Sequence, residues 1–442
     1  MKAQSRTLIN FVVCLLLLTV VASAGSGCTG LGERQRPIPT PPMTSAPLPS
    51  TTPTYPPVQP TDMPALTVPE EYLSLYEELD AALTYFEQNL NQKWDGQQGQ
   101  TVFAAELAFA NGNIGEWLLL QQTLDNNRIL LDRLQELGIK GVVLSIKYPL
   151  LQPDFPRSFE YLKFYKHIMA ECRQREMKVL VETGAIFSGT AYSPVQVDWS
   201  LYTTESFLNG MRDQLLLIAE EIKPDYLTLT EEPTTQEALT GLRIAPSLWA
   251  DFVNSVLDGI DPSSGILVGA GMGSWEDRAY IDAILHIPGI DYIDLHIYPL
   301  GKDGIILNRV LDIAQEANNY GKAVTIGECW LYKVLPEEMI SGPDIEGNFF
   351  NRDPFSFWHP LDAYFIDNII NLADAANMEF VSFFWTRYFF AYLGYSTETC
   401  SLSISEMNRR INQAANANVT EGILSPLGQH YQQRLSSRTT HN

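Results

Sequence analysis

The sequence predicts an α/β protein: one (β/α)8 TIM barrel, preceded by an export signal and a Pro/Thr-rich linker. Three observations predict it. Eight short apolar runs alternate with long amphipathic segments. The chain of 442 residues is 45% hydrophobic and 11% aromatic, enough to fill a sizeable core. Its first 27 residues, by contrast, read as an export signal, and the Pro/Thr/Ser-rich residues 28–68 cannot bury a core.

The N-terminal end reads as two segments. Lys2 and Arg6 form a basic start, Leu8 to Val21 an apolar stretch of 14 residues, and small residues follow from Ala22 to Gly27. That is the plan of a signal peptide over residues 1–27; the apolar stretch falls short of the roughly 20 residues that span a bilayer. Gly25-Ser26-Gly27-Cys28 resembles a lipoprotein cleavage box, with Gly25 where Leu is usual, and makes Cys28 the expected lipidation site. Simple secretion and an uncleaved anchor are the alternatives. Either way the protein is expected to be secreted or held at the cell surface. Residues 28–68 are dominated by Pro, Thr and Ser, as in Pro37-Ile38-Pro39-Thr40-Pro41-Pro42, which favours an extended stalk. The barrel domain is expected over 69–442, opening on a helix-like stretch from Glu70 to Trp94 and ending in a C-terminal tail.

The apolar runs are Thr101–Phe109, Gly141–Lys147, Lys178–Glu182, Tyr226–Thr230, Gly265–Gly269, Tyr292–Tyr298, Ala323–Gly327 and Phe380–Trp385. Segments of helical period lie between them, among them Phe159–Gln174, Phe207–Ile222, Ile305–Asn318 and Leu361–Ala376. Eight βα units in about 340 residues match a closed barrel with loop insertions. A doubly wound open sheet is the alternative, weakened by the lack of a Gly-rich phosphate turn after the first strand.

Composition narrows the partners. The net charge of −23 becomes −25 when residues 1–27, with Lys2 and Arg6 and no acid, are removed. Such a surface repels nucleic acid and gives no polybasic grip on anionic lipid. The membrane is reached only through the N-terminal lipid or signal. Beyond Cys14 and Cys28, Cys172, Cys329 and Cys400 stand far apart without CxxC spacing, so no disulfide framework or structural zinc site is expected. A bridge such as Cys172–Cys400 is left open.

Barrel function sits at the carboxyl ends of the strands, and side-chain alternation says which residues reach it. In Tyr226-Leu227-Thr228-Leu229-Thr230-Glu231-Glu232-Pro233, the leucines suit the helix side. Thr228, Thr230 and Glu232 then face the axis, and Glu231 turns away if the strand stays regular. In Tyr292 to Tyr298, Ile293, Leu295 and Ile297 face helices while Asp294, His296 and Tyr298 point inward. Lys147 follows Val143 and Ser145 inward. Glu328 ends the seventh run before Cys329-Trp330, but shares parity with the apolar Val324 and Ile326, so alternation does not aim it. The plainer reading of these acids is as solvated loop carboxylates.

Glu232-Pro233 after strand four, His296-x-Tyr298 on strand six, Gly327-Glu328 after strand seven and Trp385 on strand eight together resemble one clan. It is the clan of retaining (β/α)8 glycoside hydrolases that includes cellulases, β-mannanases and β-galactanases. The resemblance spans roughly residues 98 to 400 through short motifs in matching order. It implies Glu232 as acid/base and Glu328 as nucleophile. His296 and Tyr298 would position the nucleophile, and Trp385 would floor the sugar site. Glu231 stands where the clan has an Asn that bonds the sugar 2-hydroxyl, and Lys147 where it often has Arg. The implied substrate is an oligo- or polysaccharide, with no cofactor and no metal. That chemistry needs Glu232 protonated and Glu328 ionised, with Tyr298 and Lys147 helping to keep the latter's pKa low.

Two other functions compete. One is a non-catalytic carbohydrate-binding barrel. The other is a metal-dependent barrel enzyme using Glu106, Glu182, Asp294 and His296, for which no HxH or HExxH spacing exists. Phe349, Phe350, Phe355, Phe357, Trp358 and His359 after strand seven, with Trp275 and Trp330 near other strand ends, are either stacking platforms for sugars or a satellite core.

Overall fold

The computed structural model describes residues 67–190, 192–298, 304–334, 338 and 352–439. The signal segment, Cys28, all but the last two residues of the Pro/Thr-rich segment, and Phe349 and Phe350 lie outside the described residues.

The chain enters through α1 (Glu70–Lys93), whose Leu75, Leu79, Ala82, Leu83, Phe86 and Leu90 form one buried stripe at helical spacing. Glu70 and Glu71 in its first turn and Lys93 in its last complement the helix dipole. Eight parallel strands follow: β1 (Val102–Glu106), β2 (Gly141–Ser145), β3 (Lys178–Glu182), β4 (Tyr226–Thr228), β5 (Leu267–Gly273), β6 (Tyr292–Ile297), β7 (Ala323–Cys329) and β8 (Phe380–Phe383). Each pairs with its sequence neighbour, and β1 pairs with β8 through Val102–Phe380 to Ala105–Phe383, which closes the barrel. Closure rules out the open doubly wound sheet.

The strands fall in the eight apolar runs with shifted edges. β4 stops at Thr228, two residues before its run ends, and β5 continues to Gly273, four residues beyond its own. Helices α2 (Gln121–Glu136), α3 (Ser158–Gln174), α4 (Thr204–Leu217), α5 (Pro233–Thr240), α6 (Pro246–Leu257), α7 (Ala279–Ile284), α8 (Ile305–Asn319) and α9 (His359–Ala375) lie between strands. α4 starts on a reciprocal cap of Thr203 and Ser206 and runs into a π turn, Ile218–Ile222. The C-terminal segment is no tail: α10 (Ile404–Glu421) and α11 (Pro426–Thr439) bury Met407, Ile411, Leu427 and Tyr431. Tyr431 stacks on Phe389 at 5.0 Å.

Alternation divides the apolar residues between two cores. Val142, Leu144, Val179, Val181, Ile293, Leu295, Val324 and Ile326 face the helices. Ala104, Val143, Leu180, Tyr226, Tyr292 and Phe380 fill the barrel's lower axis as a separate plug. That plug is the floor on which the site stands.

Candidate active site

Above the plug, the inward positions of the strands become polar. Thr228 Oγ1 lies 2.9 Å from Tyr292 Oη and donates to Asp294 Oδ2 at 2.9 Å, and Thr325 donates to the other oxygen of Asp294. Asp294 is thus satisfied within the wall, as a fully buried carboxylate must be.

One level higher lie Lys147, Glu182, Glu231, Glu232, His296, Tyr298 and Glu328, none more than 4% exposed. His296 Nδ1 stands 2.8 Å from Glu232 Oε1 and 3.6 Å from Glu328 Oε2; its Nε2 stands 3.3 Å from Glu182 Oε2. Tyr298 Oη donates to Glu328 Oε2 at 2.7 Å. Lys147 Nζ donates to Glu231 Oε1 at 2.9 Å. The strand ends named from alternation therefore meet in one cluster.

Glu328 gets there through a β-bulge. Pairing runs Leu295–Ile326 and then His296–Glu328, so Gly327 is skipped. The extra residue reverses the parity of β7 and turns Glu328 from the helix side to the axis. Gly327 is required at this point, because a Cβ there would stand 2.8 Å from Asp294 Oδ2 and 3.1 Å from His296 Nε2.

Glu231 departs from its expected orientation. Alternation lapses once β4 ends at Thr228, and Glu231 turns into the site instead of away from it. Its carboxylate lies against Gly184, where a Cβ would come within 2.0 Å of Oε1. Glu232, next along, precedes α5, whose Pro233 begins the helix. Glu276, in the turn that follows β5, clamps this segment: it accepts from Thr234 Oγ1 at 2.6 Å, from the Thr234 N–H, and from Gly273 N–H at 2.8 Å.

Three acids escaped the sequence reading of a glycosidase site. Glu106 and Glu182, considered only as metal ligands, share inward parity with Ala104 and Leu180, a signal that alternation already held. Glu106 accepts from Asn111 Nδ2 at 2.8 Å. Glu276 lies outside any strand run and gave no such signal.

Trp385 stands beside Phe384, which packs edge-on against Tyr298 at 5.9 Å; the Arg387 guanidinium lies 4.2 Å above the Trp385 ring. Trp275 and Tyr332 flank Tyr298 at 6.2 and 4.9 Å. Phe355, Phe357 and Trp358 form a satellite core instead: Phe357 stacks on Tyr72 at 5.4 Å and Trp358 on Tyr76 at 5.8 Å, tying the loop to α1. Trp330 is buried against Tyr388 at 5.5 Å. Cys172, Cys329 and Cys400 are all free thiols.

The acids outnumber the cations here, and proton affinities respond. Burial, and then the charge of Glu182, push Glu328 well above the usual carboxylate range. This is opposite to the low pKa expected for it. Burial raises Glu231 to about 7 although Lys147 opposes it. Burial likewise raises Glu106 and Glu276 to about 8, with Glu182 adding to the first and the Thr234 contacts opposing the second. Burial works against ionised Glu182 as well, but contact with His296 and the charges of His296 and Lys147 outweigh it and bring Glu182 to about 2. His296 is raised well above its ordinary value: burial disfavours its cation, and Glu328, Glu182 and Glu232 overcome that.

Stability follows from these directions. Glu106, Glu231 and Glu276 bind protons more tightly folded, at about 8, 7 and 8, than at their ordinary 4.5. Their contribution is full below about pH 4.5 and is lost as pH rises towards 8. Glu182, at about 2, acts oppositely: its contribution is present above 4.5 and is lost as pH falls towards 2. In buffers containing a chelator, thermal unfolding is expected at a higher temperature near about pH 5.5 than near about pH 8.5. A flat or rising profile over that interval would contradict the burial of these acids.

Lys147 offers a second check. Lys147→Met removes the ammonium that neutralises Glu231, a break in a buried pair that costs about 3–5 kcal/mol. Because Glu231 can then take up a proton, the loss should shrink towards pH 5 and grow towards pH 8, measured by urea unfolding. A loss under about 1 kcal/mol at pH 8 would place this pair in solvent-like surroundings.

Fold and site together define a class: a (β/α)8 barrel whose strand carboxyl ends hold a buried cluster of carboxylates around one histidine. No family model matches the chain, and no curated protein matches it in sequence. Among solved structures it is similar to GH5_18 from Streptomyces cattleya in complex with GlcNAc, at 14% identity over 78% of this chain and 82% of that one, with a TM-score of 0.47. It is also similar to the exo-β-1,4-mannosidase Op5Man5 from Opitutaceae bacterium strain TAV5, at 12% identity, covering 79% of this chain and 62% of that one, with a TM-score of 0.49. A GH26 β-mannanase from Bacteroides ovatus matches at 11% identity over 76% of this chain and 94% of that one, with a TM-score of 0.41. Likenesses this distant leave the chemistry to be read from the chain's own geometry.

Proposed function

We propose that this protein is an extracytoplasmic glycoside hydrolase acting on an oligo- or polysaccharide with retention of anomeric configuration. One observation carries the reading: a single nitrogen, His296 Nδ1, lies 2.8 Å from Glu232 and 3.6 Å from Glu328. The two nearest carboxylate oxygens are therefore no further apart than those distances added together. Retaining glycosidases need a gap of about 5–5.5 Å, and inverting ones roughly 6.5–9.5 Å to admit a water.

In this reading Glu328 attacks the anomeric carbon while Glu232 protonates the departing oxygen. Water deprotonated by Glu232 then releases the sugar from Glu328, returning both residues to their starting forms. Before attack, a proton on Glu328 has a route to Glu232 through His296 Nδ1, which lies 3.6 Å from the one and 2.8 Å from the other. His296 gives its proton to Glu232 and takes one from Glu328, leaving the acid protonated and the nucleophile ionised. Tyr298 donates to Glu328 throughout and aims its free oxygen. Trp385, Trp275 and Tyr332 supply aromatic faces for sugar C–H groups.

The test is a screen of aryl glycosides and glycans with product anomers followed by NMR. Hydrolysis with retention supports the reading, and inversion overturns the nucleophilic role of Glu328. Export by residues 1–27 and lipid attachment at Cys28 belong to the same proposal. Lipid labelling that persists in Cys28→Ser would contradict the attachment.

A further inference from the structure

Four polar atoms at the centre of the site have no well-aligned hydrogen-bond partner among the described residues. They are both carboxylate oxygens of Glu182, Oε1 of Glu328 and Nε2 of His296. All three side chains are at most 1% exposed, so bulk water does not serve them. Native interiors satisfy such atoms with protein, ordered water or a bound ion. Four on three adjoining side chains mark a place built to hold something.

The donor set says what. One ligand atom from each of Glu182, His296 and Glu328 lies within 4.8 Å of the others. Zinc bonds of about 2.1 Å at tetrahedral angles place neighbouring donors roughly 3.4 Å apart. His296 Nε2 and Glu182 Oε2 are 3.3 Å apart. The other ring nitrogen, Nδ1, lies 2.8 Å from Glu232 Oε1. A metal-bound imidazole has this outer partner as a rule: Nδ1–H donates to the carboxylate, which fixes the proton on Nδ1 and leaves the Nε2 lone pair free for the ion.

The surroundings agree. Lys147, the other buried cation of the cluster, is directed to Glu231 at 2.9 Å. Gly327 presents no side chain where a Cβ would stand 3.1 Å from Nε2. Asp294, bonded to Thr228 and Thr325, is used up in the wall, and Glu106 lies outside the triad.

We propose that Glu182, His296 and Glu328 bind one divalent transition-metal ion, with Zn2+ preferred. One imidazole and two carboxylates suit Zn2+ better than Mg2+ or Ca2+, which favour all-oxygen shells. Three protein ligands leave a fourth position open. The site goes beyond the hydrolytic reading and shares only Glu328 with it. An ion held there occupies the carboxylate that must attack the sugar, so the metal-loaded protein is a resting form that does not hydrolyse.

The test loads the full chain with Zn2+, dialyses away the excess and measures bound metal by mass spectrometry. Anomalous diffraction at the zinc edge then locates it. About one ion per chain is expected, between the three named side chains, with affinity reduced at least tenfold in Glu182→Gln. Glu182→Asp, which keeps the charge, should retain part of that affinity and guards against a variant that fails to fold. Less than about a tenth of an equivalent on the wild type, an anomalous peak elsewhere, or undiminished affinity in a folded Glu182→Gln would overturn the site.

Glycoside hydrolysis is assayed beside it on stripped and zinc-loaded protein. Activity in the stripped form that falls at least about tenfold on loading supports the resting form; activity unchanged by bound zinc overturns it. If zinc binds at the triad and neither form hydrolyses any glycoside, the metal site stands and the hydrolytic reading falls. If the stripped protein hydrolyses but no zinc binds, the reverse holds.

Discussion

Replacing Glu328 with Gln is expected to lower kcat/KM on aryl glycosides by about 10⁴-fold or more, the scale on which removal of a covalent nucleophile acts. The amide has the carboxylate's shape but cannot attack. It still offers an oxygen to Tyr298, whose hydroxyl donates to Glu328 Oε2 at 2.7 Å. It also removes a group whose ionisation burial and Glu182 oppose. Thermal stability near neutral pH should therefore hold or rise while activity disappears, a combination that global misfolding would not produce. Initial rates and unfolding curves on the same preparation check both halves. A variant within tenfold of wild-type activity would sink the assignment. A wild type that binds glycans yet hydrolyses none would point to the non-catalytic barrel instead.

Replacing Glu232 with Gln is expected to cost roughly 10²- to 10⁴-fold, and the loss should depend on the leaving group. A poor leaving group needs a proton as its bond breaks, whereas 2,4-dinitrophenolate departs as a stable anion. The first step should thus suffer much less with the dinitrophenyl glycoside than with a plain alkyl glycoside. The backbone here does not depend on the Glu232 carboxylate, because Glu276 holds the turn through Thr234 and Gly273. Equal losses on both substrates would leave Glu232 a structural role only.

Much of this site is legible in the sequence because a strand has a strict period of two. Val143, Ser145 and Lys147 fall on one side of their run, and so do Asp294, His296 and Tyr298; the structure brings Lys147, His296 and Tyr298 into the cluster. Extended to the first and third runs, the same rule aims Glu106 and Glu182 inward after Ala104 and Leu180. Alternation fails where the strand does. β4 ends before Glu231, so nothing local turns that side chain away, and the room beside Gly184 with the ammonium of Lys147 draws it in. On β7 the bulge at Gly327 reverses parity, and only the pairing of His296 with Glu328 reveals it.

The sequence by itself determined a parallel sheet built of βα units, since eight apolar runs separated by amphipathic helices bury their faces in that way; the pairing of β1 with β8 decided that the sheet closes into a barrel. It also determined which side chains reach the mouth wherever a strand stays regular. Tertiary structure alone decided that three strands deliver acids to one histidine, how close those acids stand, and which of them have a raised proton affinity. Those properties depend on distances between residues far apart in the chain and on the water excluded from between them. A side chain's neighbours across the barrel, more than its own segment, set both its charge and its use.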